Sequence, residues 1–355
     1  MISFLIVGSG YRSEYFGRVA RTYPELFRAM YLCRSQAKTE LMQAHTGLPA
    51  TVSEEEAKAF SPDFIVIAVD RGHMAEVAET WVKKGFPVVT ETPVGATPEQ
   101  LAGLWKLERE GGRIVCCEQY FRQPLLAAGL RAVSDGLIGT PSSMYLSLLH
   151  DYHGASLIRK CLNVSADEPY SVFGEALDEP VTETDSRGGA ILDGRVRTDR
   201  RMTAMIAFES GKRAVYDFCP IQYRSYIRSR HLTLRGDRGE WSDTVISFVN
   251  SRNEPEKLFL LPKIPEKYRA LDTQALRDRR RNWESTLAPD TVQDEFAIAT
   301  VLMDMREYLN GGASPYPLEE AIADAAFWIS LQEAEQRPFE RVRSREFLRD
   351  LLKSR

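Results

Sequence analysis

Apolar positions fall in two different rhythms along this chain. In the first third they come as short runs that do not alternate, within residues 2–7, 28–33, 64–69, 87–90 and 113–118. Between these runs, at 11–23, 37–46, 74–84 and 98–110, they recur with the three-to-four spacing of a helix face. Gly47 and Gly85 stand where two of those helices stop, Thr97 N-caps the last, and Gly111-Gly112 ends it. Strands that do not alternate, separated by helices, predict a parallel sheet covered on both faces.

After Arg122 the rhythm changes. A helix over 124–135 is stopped by Gly136, a strand follows at 144–149, and a helix is expected over 151–162. From Glu183 onward the text becomes alternating strands at 202–208, 213–218, 231–235, 239–242 and 244–248. Gly211-Lys212 and the stretch Gly236-Asp237-Arg238-Gly239 read as hairpin turns between them. That pattern predicts an open, mainly antiparallel sheet. Residues 250–290 are charged and proline-marked and fit no template, and amphipathic helices at 294–309 and 318–335 close the chain. The fold class is therefore α/β, with a parallel-sheet domain over 1–122 and an antiparallel-sheet domain over 123–355.

Composition narrows the partners. With 46 basic and 50 acidic residues among 355 the formal charge is −4, so no bulk field draws the chain to nucleic acid or membrane. No apolar run reaches the roughly 18–20 residues of a membrane span. The apolar start is too short for a signal peptide and lacks a basic leader, so a cytoplasmic protein is expected. Cys33, Cys116, Cys117, Cys161 and Cys219 are odd in number and irregular in spacing, which argues against a disulfide framework.

The chemistry begins at Gly8-Ser9-Gly10-Tyr11-Arg12-Ser13, between the first strand and the first helix. In that setting Gly8 makes the tight turn, Gly10 lets backbone approach a pyrophosphate, and the helix N-terminus offers N–H groups to the anion. The third glycine of such a fingerprint is replaced by Ser13. This is a Rossmann turn for a dinucleotide. At the end of the second strand, where a carboxylate takes the ribose of NAD, the chain has Arg34-Ser35. An arginine can pair with a 2′-phosphate, so NADP is favoured over NAD.

The sequence resembles the glucose–fructose oxidoreductase / inositol dehydrogenase / MocA family. The resemblance rests on Gly8-Ser9-Gly10, on Ile67-Ala68-Val69-Asp70-Arg71-Gly72-His73, and on Val88-Val89-Thr90-Glu91-Thr92-Pro93. It continues in Glu118-Gln119-Tyr120-Phe121-Arg122-Gln123-Pro124 and Asp294-Glu295-Phe296. It implies a nicotinamide bound beside an α/β substrate domain, sugars or polyols as substrates, and a homo-oligomer, dimer or tetramer, built on the antiparallel sheet. It also implies that Val69, His73, Glu91 and Arg122 join Gly8 to Arg12, Arg34 and Ser35 around the cofactor. Two departures matter: Thr92 stands where the family carries a lysine, and Ser156 stands where it carries an aspartate three residues after His153.

Hydride transfer needs one group to give or take a proton. His153 is the first candidate, and Glu91, Thr92 and Tyr120 are the further catalytic candidates. His150, Asp151 and His153 could share a helix face toward a metal, but no further ligand accompanies them, and no metal is expected. The arginine run 277–281 lacks the aromatic interleaving of a polynucleotide site. The leading function is a hydride-transferring oxidoreductase. A glycosidase-like enzyme with a retained NAD, and a non-catalytic dinucleotide sensor, stand beside it because the lysine is missing.

Overall fold

The computed structural model describes residues 1–186, 188–279, 291–344 and 351. The first elements are β1 (Ile2–Val7), α1 (Tyr11–Thr22), β2 (Phe27–Leu32), α2 (Gln36–Thr46), β3 (Ala50–Thr51) and α3 (Glu54–Ala59). They are followed by β4 (Phe64–Ile67), α4 (Met74–Lys83), β5 (Val88–Thr90), α5 (Pro98–Arg109) and β6 (Ile114–Cys116). Next come α6 (Pro124–Ser134), β7 (Pro141–Ser147), α7 (Asp151–Leu162), β8 (Tyr170–Thr182), β9 (Asp185–Ser186), β10 (Gly189–Ala190), β11 (Val196–Phe208) and β12 (Arg213–Phe218). The chain continues through β13 (His231–Gly236), β14 (Gly239–Ser242), β15 (Val245–Val249) and β16 (Pro255–Phe259). It ends with α8 (Gln274–Arg279), α9 (Thr291–Leu309), α10 (Leu318–Gln336) and β17 (Val342–Arg343).

The chain divides into two compact units. The first holds Met1–Gln123, the stretch that begins at Ile264, and the segment that runs to Ala325. Its six strands lie in the order β3-β2-β1-β4-β5-β6, all parallel. Phe4, Leu5, Ile6, Phe64 to Ile67, Val88, Val89, Ile114 and Val115 are fully buried, which is why these runs do not alternate. Register lines up the strand ends: Leu32 pairs with Val7, Val7 with Ile67, Ile67 with Thr90, and Thr90 with Cys116. The five turns that follow β1, β2, β4, β5 and β6 therefore open on one edge of the sheet, the edge where such folds bind ligands.

The second unit holds Pro124–Lys263 and the segment that begins at Ala326. Its nine strands run in the order β16-β15-β14-β13-β7-β12-β11-β8-β17. The β7–β12 pair is parallel and the others are antiparallel. On β11, Ala204, Ile206 and Phe208 are buried while Met205 between them is 62% exposed. Helix α6 lies against β14 at Gly129, where a Cβ would sit 2.1 Å from the ring of fully buried Trp241.

The α/β class and the two sheet types agree with the sequence pattern, and α7 spans the expected residues. Three differences have physical causes. The second unit is not the continuous stretch 123–355, because α8, α9 and the start of α10 pack with the first unit. Their contact is made by α9 on α1, where the buried Glu295 carboxylate accepts from Arg18 and Arg279, each at 2.6 Å. Strand β8, paired with β11 over thirteen residues, was not legible, since Gly174, Pro180 and three acidic residues lower its strand propensity. The charged 250–290 stretch contains β16 and α8, while residues 280–290, including the last two of the arginine run, lie outside the described residues.

Candidate functional site

The turn after β1 places its two glycines in different roles. Gly8 has φ +130°, and a Cβ there would lie 2.2 Å from the Ala68 carbonyl oxygen, so the turn is pressed against the end of β4. Gly10 is the N-cap residue of α1, no side chain caps that helix, and a Cβ at Gly10 would meet nothing within 4 Å. The space beside Gly10 is open, and the helix end behind it carries the partial positive charge that favours an anion. Ser13 is fully buried and its hydroxyl donates to the Gly10 carbonyl at 2.6 Å, which closes the turn. Close helix–strand approach occurs one turn later, at Gly17, where a Cβ would sit 2.2 Å from the Tyr31 hydroxyl. That hydroxyl donates to the Ser13 carbonyl at 3.0 Å. Gly17, not the expected position 13, thus permits the close helix–strand approach.

Arg34 lies exposed just past the end of β2, and no ion pair is formed by it among the described residues. Ser35 is the N-cap of α2, where its hydroxyl accepts from the Lys38 amide at 3.4 Å. Val69 is half-buried after β4. His73 is 71% exposed at the N-terminus of α4, with Nδ1 3.8 Å from Asp70 Oδ1. Ser9 and Tyr11 border the glycine turn, and the Tyr11 hydroxyl lies 2.8 Å from that of Tyr15.

Arg12 has another task than sequence suggested. Its guanidinium stacks on Tyr15 at 4.4 Å and donates to Glu91 Oε1 at 2.9 and 3.2 Å and to Asp294 Oδ2 at 3.3 Å. Gln119, oriented to satisfy its neighbours, accepts from Arg12 at 3.0 Å and donates to the Cys117 carbonyl at 2.7 Å. Gln123 donates to the other oxygen of Asp294 at 2.8 Å. One guanidinium thus joins the glycine-turn helix, the end of β5, the end of β6 and the start of α9. The two carboxylates are 79 and 282 residues away in sequence, so no local pattern announces them.

Glu91, 4% exposed, continues from Arg12 to Thr92. Its Oε2 accepts from the Thr92 amide at 3.2 Å and from the Thr92 hydroxyl at 3.5 Å. Arg122, expected near the cofactor, ties the turn after β6 to α9. It donates to Asp304 at 2.8 Å, Tyr268 at 3.1 Å, Thr300 at 3.3 Å and the Pro315 carbonyl at 2.6 Å. Burial pushes the Asp304 carboxyl up, but hydrogen bonds from Arg122 and Lys267 outweigh it and hold the group below its ordinary range. Tyr120 is buried, and its amide donates to Glu118 at 3.2 Å. Cys116 and Cys117 are free thiols, pushed up by burial, which makes them poor nucleophiles.

In the second unit His153 is 4% exposed on α7, with ring centroids 4.6 Å from Tyr152 and 5.0 Å from His150. The Tyr223 hydroxyl lies 2.6 Å from His150 Nδ1 and accepts from the His150 amide at 3.1 Å. Ser156, in the place of the expected aspartate, donates back to the His153 carbonyl at 3.1 Å. Among the described residues no group of three His, Cys, Asp or Glu side chains could hold a metal ion, and no helix is long and apolar enough to cross a membrane.

Comparison with known proteins agrees with this geometry. No curated protein sequence matches the chain. An NAD-binding oxidoreductase from Klebsiella pneumoniae is similar over 97% of this chain and 99% of its own, at 14% identity and a TM-score of 0.72. An oxidoreductase from Agrobacterium radiobacter, solved with NAD+, L-tartaric acid and magnesium, covers 96% of this chain and 98% of its own, at 10% identity and a TM-score of 0.69. Biliverdin reductase from Synechocystis, solved with biliverdin and NADP+, covers 94% and 98%, at 15% identity and a TM-score of 0.63. At these identities the likeness is one of fold, and the fold is that of NAD(P)-dependent oxidoreductases. Residues 2–119 match the model described as the oxidoreductase family with an NAD-binding Rossmann fold, GFO_IDH_MocA.

Proposed function

We propose that the chain is an NAD(P)-dependent oxidoreductase that transfers hydride to or from a small polyhydroxylated or carbonyl compound, a sugar, polyol or derivative. The observation that carries this reading is the glycine turn at the carboxyl edge of the parallel sheet, with open space at Gly10 and an uncapped helix behind it. The residues fit the group. Gly8 to Tyr11 would cradle the pyrophosphate, Arg34 would face the adenosine ribose at the end of β2, and the other half of the dinucleotide would lie over β4, β5 and β6. When bound, the nicotinamide accepts or donates the hydride. The chain must orient the reacting carbon, exclude water and handle one proton. His153 is the candidate for the reacting oxygen in the second unit, and Glu91 with Thr92 in the first.

Arg34 without a carboxylate beside it supports a preference for NADP, since a guanidinium can take a 2′-phosphate through two parallel hydrogen bonds. Calorimetry with NADP+ and NAD+ tests this. Arg34→Ala is expected to weaken NADP+ by about ten- to a hundredfold, the scale of one charge-assisted contact of about 1.5–3 kcal/mol, and to leave NAD+ nearly unchanged. Equal or tighter binding of NAD+ by the native chain would remove the preference. A panel of sugars, polyols and aldehydes followed by nicotinamide absorbance tests the reaction. Tight cofactor binding with no net turnover on any of them favours the sensor reading. The same reading includes self-association through the open face of the nine-stranded sheet, where Phe173, Met205, Val215 and Tyr145 form one cross-strand row. Phe173 and Met205 in that row are exposed apolar side chains, which favours cover by a second copy.

A further inference from the structure

We infer that the Thr92 hydroxyl and the Glu91 carboxylate form the proton path of the site, and that Arg12 and Asp294 are positioning residues for it. The inference rests on the oxidoreductase reading and assigns the proton within it. Thr92 follows β5 on the carboxyl edge of the sheet, in the half of the crevice over β4, β5 and β6. It is half-buried, so its hydroxyl is within reach of a ligand in that crevice.

The two oxygens of Glu91 are divided between two jobs. Oε1 is taken by two N–H groups of Arg12, and Oε2 faces the Thr92 amide and hydroxyl. A hydroxyl that donates to a carboxylate still has lone pairs with which to accept a hydrogen. When a substrate alcohol is oxidised, its C–H hydride goes to the nicotinamide of the bound cofactor. Its O–H proton goes to Thr92 Oγ1, the Thr92 hydrogen moves to Glu91 Oε2, and the C–O bond becomes C=O. Reduction of a carbonyl runs the same steps backward, and between turnovers the proton returns from Glu91 through Thr92 Oγ1 to water in the emptied crevice.

Asp294 gives this path its second requirement. The Arg12 guanidinium is half-buried, so losing its carboxylate partner would leave a partly desolvated cation unpaired. Here protonation of Glu91 leaves Arg12 still paired with Asp294 at 3.3 Å and with the Gln119 oxygen at 3.0 Å. Gln123, bonded to the other Asp294 oxygen, keeps that carboxylate turned toward Arg12. The cation therefore stays neutralised while the proton is in transit.

The test is kinetics on the full chain with a substrate from the panel, together with calorimetry of cofactor binding. Thr92→Val removes the hydroxyl at constant shape and is expected to lower kcat by about 10²–10³-fold, the range of general acid–base effects, with cofactor affinity within twofold. Thr92→Ser is expected to bring most of the turnover back. Glu91→Gln is expected to match Thr92→Val, and the double variant to be no slower than either, since both interrupt one path. Arg12→Met is expected to lower kcat and shift the pH–rate profile, which a purely structural role would not do. Full turnover by Thr92→Val, or losses that multiply in the double variant, would overturn the assignment while leaving the oxidoreductase reading in place. A native chain that binds cofactor yet turns over nothing would overturn both.

Discussion

Replacing Gly8 and Gly10 with alanine separates what the glycine turn does for the fold from what it does for a ligand. At Gly8 the backbone has φ +130°, a region open in practice only to glycine, and the new methyl would lie 2.2 Å from the Ala68 carbonyl oxygen. The conformational strain costs about 1–3 kcal/mol and the steric conflict about 1–3 more, so Gly8→Ala is expected to destabilise by about 2–6 kcal/mol. At about 2–4 °C per kcal/mol for a domain of this size, the midpoint should fall by roughly 4–24 °C. At Gly10 the backbone is extended, with φ −94° and ψ 176°, and the methyl meets nothing. Gly10→Ala should therefore change stability by only about 0.5 kcal/mol, because alanine fits the native conformation. It should nonetheless weaken dinucleotide binding by about tenfold or more, equivalent to about 1.4 kcal/mol, by filling the space the pyrophosphate needs. Thermal denaturation and calorimetry on both variants are the assays. Gly10→Ala binding as tightly as the native chain would refute the cradle, and Gly8→Ala melting with the native chain would refute the strain argument.

Two other outcomes follow from the geometry. Burial and the nearby Glu319 carboxylate push Glu108 up from 4.5 to about 7, so the folded state binds its proton more tightly than the unfolded state. Stability should fall as pH rises from about 4.5 to about 7, and Glu108→Gln should gain on the native chain above pH 7 and match it below about 4.5. With the carboxyl partly in water the gain is on the order of 1 kcal/mol, and equal melting of the two chains at pH 8 would exclude it. Met205→Arg places a charge in the exposed row of the nine-stranded sheet, and light scattering at micromolar concentration should show the oligomer reduced to monomer. A native chain that is already monomeric would end that proposal.

The parts that were legible in sequence are those governed by near neighbours. The buried runs of β1, β4, β5 and β6, the Thr97 cap and the Gly8–Gly10 turn each follow from a few adjacent residues, whereas the Ser35 cap emerges only in the structure. Helix α7 spans the residues its spacing predicts, and the structure ends it at Asn163, whose backbone is left-handed. What was not legible depends on distant partners. Arg12 reads as a cation beside a phosphate turn, but Glu91 and Asp294 claim it. Arg122 likewise reads as a site residue, and Asp304, Tyr268 and Pro315 hold it in the structure. Asp294 was noted within a resembling motif without a role, since its meaning depends on Arg12. Strand β8 carries acidic residues on both faces and draws its order from β11.

The return of α9 to the first unit sets a timetable for synthesis. When residue 123 leaves the ribosome, all six parallel strands exist, but Arg12 and Arg18 still lack Asp294 and Glu295. About 200 further residues must be made before the segment ending at Ala325 is complete. At roughly 5–20 residues per second that is about 10–40 seconds. Throughout that interval the surface of α1 that α9 will cover remains open to water and to other chains. The nascent parallel-sheet unit thus keeps an uncovered helix face until the segment ending at Ala325 has been made. A stop codon or ribosomal stall anywhere in the antiparallel domain would leave the dinucleotide turn built but unbraced.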